Sequence, residues 1–558
     1  MLGRVLAARG VTPETCRSFL DPTLRDLLPD PSTFKDMNIA AQRIAEAVRN
    51  GEQITIFGDY DVDGATSSAL LARFLKSVGC EPRIYIPDRI FEGYGPNAEA
   101  LRQIRADGTG LLITVDCGTA SHAAFNAARD IGLDVVVLDH HQADAELPQT
   151  VALVNPNRQD DLSGCGYLAA VGVTFVTIVA VNRNLRESGW YSESRPEPDL
   201  LRWLDLVALG TVCDSVPLTG LNRAFVTKGL QVLRQRRNLG LSALGEIARM
   251  SGPPDPYQLG FQLGPRINAG GRIGQADLGA RLLTLEDELE ARDIAATLDR
   301  LNAERQEMER ITLEEAIAEA ERNIGAGSQP AVLITSGQEW HPGIVGLVAT
   351  RLKDRFRRPA FAIAFDENGI GTGSGRSITG VDLGAVVRAA VAADILEKGG
   401  GHAMAAGLTV RRDRLGELRA FFEQHMRDPV GIAQGNDSIK VDGALTAGGA
   451  NPGLVKLLER AGPFGAGNPQ PLFVFPAHRI AFSKIVGKGH VQLSLQAGDS
   501  SRIQGIAFRA AETPLGELLL SRRAGPVHVV GRLRLDHWGG RERVQLQVSD
   551  AALPEHAK

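Results

Sequence analysis

Residues 53–67 read QITIFGDYDVDGATS: a short β-favouring run, an acidic loop, then the small residues that open a helical pattern. The unit recurs at 111–115, where LLITV runs into DCGTA and a helix, and at 134–138, where DVVVL runs into Asp139-His140-His141. Strand, loop and helix in alternation predict a parallel sheet with crossover helices. In such a sheet ligands collect at the carboxyl ends of the strands. Asp59, Asp61 and Asp63, then Asp116, then Asp139 to His141 all fall at that edge. Asp214, closing TVCD, is expected in the same strand-to-loop setting.

Six carboxylates and two histidines at one edge match the ligand preference of Mg²⁺ and Mn²⁺. Two such ions can activate a water and stabilise the leaving oxygen of an in-line displacement at phosphorus. Asp116, on a middle strand, is the candidate bridge. Each motif alone would be read as a solvated turn or a helix cap. Four together are hard to explain as independent turns, and they point to phosphoester hydrolysis.

The rest of the chain bounds the reading. At 558 residues and 59.7 kDa it should hold three or four domains. A hydrophobic share of 43% and a charged share of 23% are ordinary for a soluble globular protein, and a net charge of −5 excludes a uniformly basic nucleic-acid wrapper. Cysteines 16, 80, 117, 165 and 213 have no CxxC spacing, which favours a reducing cytoplasm over disulfides or a zinc finger. No signal peptide is recognised, and the apolar run from Tyr167 to Val181 is too short to span a bilayer.

The expected organisation is α/β and multidomain. Residues 1–35 form an N-terminal lead-in packed on the first domain, followed by an amphipathic helix over Met37–Asn50. The parallel-sheet domain covers 36–280. A connecting helix covers 281–326, where a stretch rich in Ala, Leu, Glu and Arg lacks Gly and Pro. A second α/β domain covers 327–430. Residues 436–552 form short strands expected to make a small barrel or sandwich, with an OB-like β-barrel as the leading candidate.

GDYDVDG, TVDCG, LDHH and TVCD, in this order, resemble the four motifs of the DHH phosphoesterase superfamily, and GGGH (Gly399–His402) resembles the motif of its companion DHHA1 domain. The likeness covers nearly the whole chain and is nearest to the superfamily's single-strand-specific bacterial exonucleases, through FEGYGPN (91–97) and LGPRINAGGRIG (263–274). The resemblance implies a parallel-sheet DHH domain, a DHHA1 domain and an OB domain. It implies two Mn²⁺ or Mg²⁺ ions held by Asp61, Asp63, Asp116, His140 and Asp214, with Asp59 joining them. It places His141 beside the scissile phosphate and gives Asp139 the task of orienting a histidine. Many members begin the first motif with a histidine where this chain has Phe57, which cannot ligate, so Asp59 is the expected substitute.

For the substrate, Arg266, Asn268 and Arg272 are candidates for gripping phosphate. The resemblance places their segment near the strand's 5′ end. His341, Arg376, Ser377, Gly400, Gly401 and His402 are the candidates in the second domain, where glycines admit close backbone approach. Residues 471–550 carry eleven Lys or Arg against six Asp or Glu, and Trp538, expected in a turn with His537, is a candidate base-stacking platform. The activity expected by resemblance is 5′ to 3′ digestion of single-stranded DNA in repair and recombination, with a single-strand binding protein and a helicase as further partners and no membrane. The competing readings are a phosphodiesterase on short oligonucleotides or cyclic dinucleotides, and an inactive DNA-binding scaffold.

Overall fold

The first sheet contains β1 (Ile54–Gly58), β2 (Arg83–Tyr85), β3 (Leu111–Val115), β4 (Asp134–Leu138) and β5 (Ala152–Val154), all parallel in the order β2-β1-β3-β4-β5. This is a computed structural model, describing residues 1–89, 92–325, 329–435, 438–521, 525–538 and 541–554. Every residue of β1 and β3 is buried, because helices cover both faces and leave no polar side to alternate towards. Helices Met37–Asn50, Val62–Ser77 and Ala170–Glu187 fill one core, while Ala98–Ala106 and His122–Asp130 fill the other around Phe57, Leu112 and Phe125.

A helical annex completes this domain. TVCD does not end a strand: Leu204–Cys213 is a helix, nearly all of it buried, with Asp214 as its C-cap. An apolar run buried on all sides has no polar face from which period could be read, and helix wins here by length. LGPRINAGGRIG is likewise mostly helix, Gly264–Ile273. The connecting helix is shorter than 281–326 and runs Glu288–Gly325. Leu278–Thr284 is a separate helix, stopped by extended Leu285, and Asp287 restarts the chain by accepting the Glu290 amide at 2.8 Å.

The second sheet is mixed, with β6 (Leu333–Gly337), β7 (Ala360–Phe365), β8 (Ile370–Arg376), β10 (Ala405–Arg411) and β9 (Lys398–Gly401) in that spatial order and only β6 and β7 parallel. The C-terminal section begins with the two-residue β11 (Gly443–Ala444), parallel to β12 (Phe473–Val486), and continues through β13 (His490–Gln496), β14 (Arg502–Ala507), β16 (Arg541–Ala552) and β15 (Val527–Trp538), and β15 returns to β12. That closure makes a five-stranded barrel and abolishes its edges, as an OB fold does. His537 and Trp538 are paired strand residues opposite Glu542 and Arg541 rather than a turn, and their side chains lie outside the described residues.

The N-terminal lead-in does not pack on the first domain throughout. Val5 and Leu6 are buried in the barrel's own core, with Met1, Leu2, Val11, Cys16, Phe19 and Leu20 against it; only from Leu24 to Phe34 does the chain join the first domain. Amphipathic spacing shows that a face is buried, not which core receives it.

Candidate metal centre

β1 delivers Asp59 one residue past its end, and Asp61 then caps helix Val62–Ser77 by accepting the amides of Asp63 (2.8 Å) and Gly64 (3.1 Å). Gly64 is required by proximity, since a Cβ there would lie 2.3 Å from the Asp59 carbonyl oxygen. Asp63 reaches across to a second helix start and accepts from the amides of Ala170 (2.6 Å) and Val171 (3.0 Å). Asp116 follows β3 with φ +60, a left-handed conformation that a non-glycine residue adopts at a cost.

These loops bring three groups of potential ligand atoms together, each within 4.8 Å: Asp59, Asp61 and Asp116; Asp63, His140 and Asp214; and Asp116, His140 and His141. Asp116 and His140 are each shared by two groups, with His140 Nε2 lying 3.3 Å from Asp116 and 3.9 Å from Asp63. The other ring nitrogen, Nδ1, sits 3.1 Å from the Leu168 carbonyl oxygen, which sets it as the donor and leaves the Nε2 lone pair facing the carboxylates. Burial and the neighbouring His141 charge lower the His140 pKa to about 4, so the ring is neutral and able to ligate.

The donor set fits divalent cations. Burial first and mutual repulsion second push Asp59 and Asp116 well above the carboxylate range, Asp63 to about 7 and Asp214 to about 9. The Asp59 Oδ1 atom is buried with no hydrogen-bond partner. A buried acceptor without a donor, among carboxylates that cannot all ionise together, is relieved by positive charge. Phe57 has no part in this, being fully buried in the core under helices Ala98–Ala106 and His122–Asp130 and stacked on Tyr85 at 5.3 Å between centroids.

His141 differs from its neighbour. Its Nδ1 meets Asp139 Oδ1 at 2.7 Å, and Asp139 also accepts the amides of His140 (2.7 Å) and Thr119 (3.0 Å). Burial acts to lower the His141 pKa, but the Asp139 bond and charge overcome it and raise the pKa to about 9; burial likewise acts to raise Asp139, and His141 and Thr119 hold it well below the carboxylate range. Asp139 thus orients His141 and joins none of the ligand groups. Asn155 and Asn157 secure the pair from behind, donating to the carbonyls of His141 (2.8 Å) and His140 (2.5 Å). The Tyr94 hydroxyl donates to the Asp116 carbonyl at 3.1 Å and lies 3.4 Å from both His141 ring nitrogens. Tyr94 was within FEGYGPN but unassigned by sequence; Phe91 of that stretch lies outside the described residues.

A cationic pocket borders the acidic one. Arg272 donates to the Gly343 carbonyl of the second domain at 3.0 Å, and its pKa falls to about 10 through burial and the nearby charges of Arg89, Arg305 and Arg376. Burial and Arg89 likewise lower Arg376 and His341. Arg89 lies 5.0 Å from the Tyr60 ring centroid and had no motif to announce it. Arg89, Arg272 and Arg376, drawn from two domains, thus lie close enough to act on one another's charge.

Other expected contacts are committed elsewhere. Arg266 pairs with Asp299 at 2.8 Å and donates to the Gln262 carbonyl, because its side of the helix faces the long connecting helix. Ser377 is buried and donates to the Val381 carbonyl at 2.7 Å, while Ser374, on the same strand face as Arg376, accepts from its guanidinium at 2.9 Å. Asn268 is half-buried on the Arg266 helix, and Gly400, Gly401 and His402 lie on edge strand β9 and its turn.

Residues 53–211 match the DHH family N-terminal domain, 329–428 the DHHA1 domain and 441–550 the RecJ OB domain. Among curated relatives, the single-stranded-DNA-specific exonuclease RecJ of Bacillus subtilis is 36% identical over 100% of this chain and 68% of its own length. RecJ of Dickeya dadantii is 36% identical over 98% and 95%. Among solved structures, RecJ of Thermus thermophilus in complex with Mn²⁺ superposes with a TM-score of 0.78 at 28% identity, covering 99% of this chain and 78% of that one. Its Mg²⁺ complex gives 0.72 at 27%, covering 99% and 77%.

Proposed function

The chain belongs to the RecJ family of single-stranded-DNA-specific exonucleases, and from that premise we propose that it is a Mn²⁺- or Mg²⁺-dependent nuclease removing nucleotides from single-stranded DNA in the 5′ to 3′ direction. The observation that carries the reading is the set of three adjoining ligand groups, linked because Asp116 and His140 each belong to two of them, with His141 held in place by Asp139. Asp59, Asp61 and Asp116 would hold one ion, and Asp63, His140 and Asp214 the other. Two divalent ions supply Lewis acidity to a water and to the phosphoryl oxygens. His141, kept protonated by Asp139, presents Nε2–H to the developing negative charge, and Tyr94 steadies the ring.

The 5′ polarity finds support in the cationic pocket. Arg89, Arg272, Arg376 and His341 come from two domains and suit a terminal phosphate next to the scissile one. Beyond the metal centre a cleft of about 1610 Å³ separates the catalytic annex from the barrel. It is lined by the stacked rings of Tyr257 and Phe261 (5.0 Å between centroids) and by Arg532 and Arg534, the last 5.7 Å from the Tyr257 ring. Stacking rings with interleaved cations suit a single strand without reading its sequence.

All five cysteines are unpaired, which favours a reducing cytoplasm, and no helix among the described residues is long and apolar enough to cross a membrane. A role in repair and recombination, fed by a helicase or a single-strand binding protein, belongs to the same proposal. The test is digestion with Mn²⁺ of single-stranded DNA labelled at either end, beside duplex DNA and the Asp116→Ala variant. Early release of the 5′ label from single strands is expected. Intact strands in every lane would remove the exonuclease reading, and cleavage confined to dinucleotides would favour a small-substrate phosphodiesterase.

A further inference from the structure

Arg223 is the bulkiest fully buried side chain among the described residues, at 1% exposure. It sits in the first turn of helix Gly220–Leu233 of the catalytic domain, yet its guanidinium bonds leave that domain. Nε donates to the Phe19 carbonyl at 2.7 Å; the terminal nitrogens donate to the carbonyls of Ala461 (3.0 Å), Gly462 and Pro463 (3.5 Å). The Phe19 ring lies 3.9 Å from the guanidinium carbon. Phe19 belongs to the N-terminal arm in the barrel's core, and Ala461 to Pro463 follow the barrel's helix Pro452–Glu459. No carboxylate takes part among the described residues.

The contacts around Arg223 form one junction. The Leu218 amide donates to the Ala466 carbonyl at 2.8 Å, and the Asn468 side chain braces the carbonyls of Ala461 and Pro463, both at 2.9 Å. Gly467 has φ +67, and a Cβ there would meet Pro217 Cβ at 2.7 Å. Gly462, Pro463 and Phe464 on one side, and Val216 and Leu218 on the other, line the cleft between annex and barrel.

We propose that Arg223 is a positioning residue for long substrates: it latches the barrel and the N-terminal arm to the catalytic domain and so fixes the cleft at a width where both units hold one strand. Interfaces between domains of one chain are ordinarily small and mobile. A buried cation satisfied only by carbonyls makes this one stiff, since a small shift of the barrel would leave its donors unpaired in an apolar setting. Two binding units held at a set spacing act as a bivalent site, and a loosened spacing lowers the effective concentration of the second. A dinucleotide reaches only the metal centre and does not sense the latch.

The identity of the substrate rests on the exonuclease reading; the latch rests on geometry alone. The test compares Arg223→Met and Gly467→Ala with the intact protein on a long single strand and on a dinucleotide, with the radius of gyration measured by small-angle scattering. KM for the long strand should rise about ten-fold or more in both variants. Its kcat and dinucleotide turnover should stay within about two-fold, and the radius of gyration should increase. A long-strand KM unchanged in both variants overturns the proposal, as does equal loss on the two substrates. Where Arg223→Met fails to fold by circular dichroism, Gly467→Ala decides. Should the intact protein cleave no DNA, the exonuclease reading fails by itself; anisotropy of a labelled long strand in EDTA then decides the latch, which is upheld by weakened binding in the variants and overturned by unchanged binding.

Discussion

The metal centre and the Arg223 junction both bury charge, and they leave it in opposite states. At the junction every guanidinium nitrogen finds a carbonyl, so nothing is missing and the charge serves architecture. At the metal centre Asp59 keeps an orphan oxygen, and burial first and neighbouring carboxylates second push Asp63, Asp116 and Asp214 upward, so positive charge is wanting and the site serves a ligand. Satisfied buried charge is structure; unsatisfied buried charge is an invitation. The sharpest way to break the contrast is Asp116→Ala, which removes the residue shared by two ligand groups. Hydrolysis of single-stranded DNA should fall at least about a thousand-fold with the circular dichroism spectrum unchanged. A variant retaining a tenth of the activity would show that the shared carboxylate is not central.

A milder cut is Asp139→Asn. His141 is raised to about 9 chiefly against burial by the Asp139 bond and charge, so its cationic form persists below that pH and is lost as pH rises through it. The amide removes the charge, which should lower kcat about 10- to 100-fold and move the alkaline limb of the pH profile towards neutrality. A limb that stays in place would assign it to another group.

The carboxylates predict a pH trend of their own, in the stability of the metal-free protein. Asp63 and Asp214 have folded pKa values of about 7 and about 9, above the ordinary value of 3.8, so their contribution is fully present below about 4 and is lost as pH rises from there, through about 7 for Asp63 and about 9 for Asp214. Melting temperature without metal should therefore drop over that window by several degrees. Mn²⁺ should abolish the drop while releasing protons, seen as a buffer-dependent heat in calorimetry. The Arg223 junction should contribute no such trend.

How much of this was legible in the sequence follows the same divide. Asp59, Asp61, Asp63, Asp116 and the two histidines were readable because each sits within a few residues of a strand end, and strand ends of a parallel sheet converge whatever the rest of the fold does. Asp214 was found by motif although its setting was misjudged, since a run buried on all sides hides its period. Arg89, Ser374 and Arg223 were not readable. Their meaning comes from groups far along the chain: Arg272 and Arg376 for Arg89, the strand-face partner for Ser374, and the carbonyls of residues 19 and 461–463 for Arg223.

Arg266 and Arg272 carry that point to its smallest measurable effect. They are six positions apart on one helix, which turns them about 120° from each other, so one glycine-containing motif sends two arginines to different neighbours. Arg272 enters the cationic pocket and Arg266 meets Asp299 on the connecting helix. Because that pair is partly open to solvent, it should contribute only about 0–1 kcal/mol. Arg266→Ala should accordingly change the KM for single-stranded DNA by less than about two-fold and lower stability within that range in a urea titration. A ten-fold rise in KM would return Arg266 to the substrate path, and would mean that the Asp299 pair opens when a phosphate arrives.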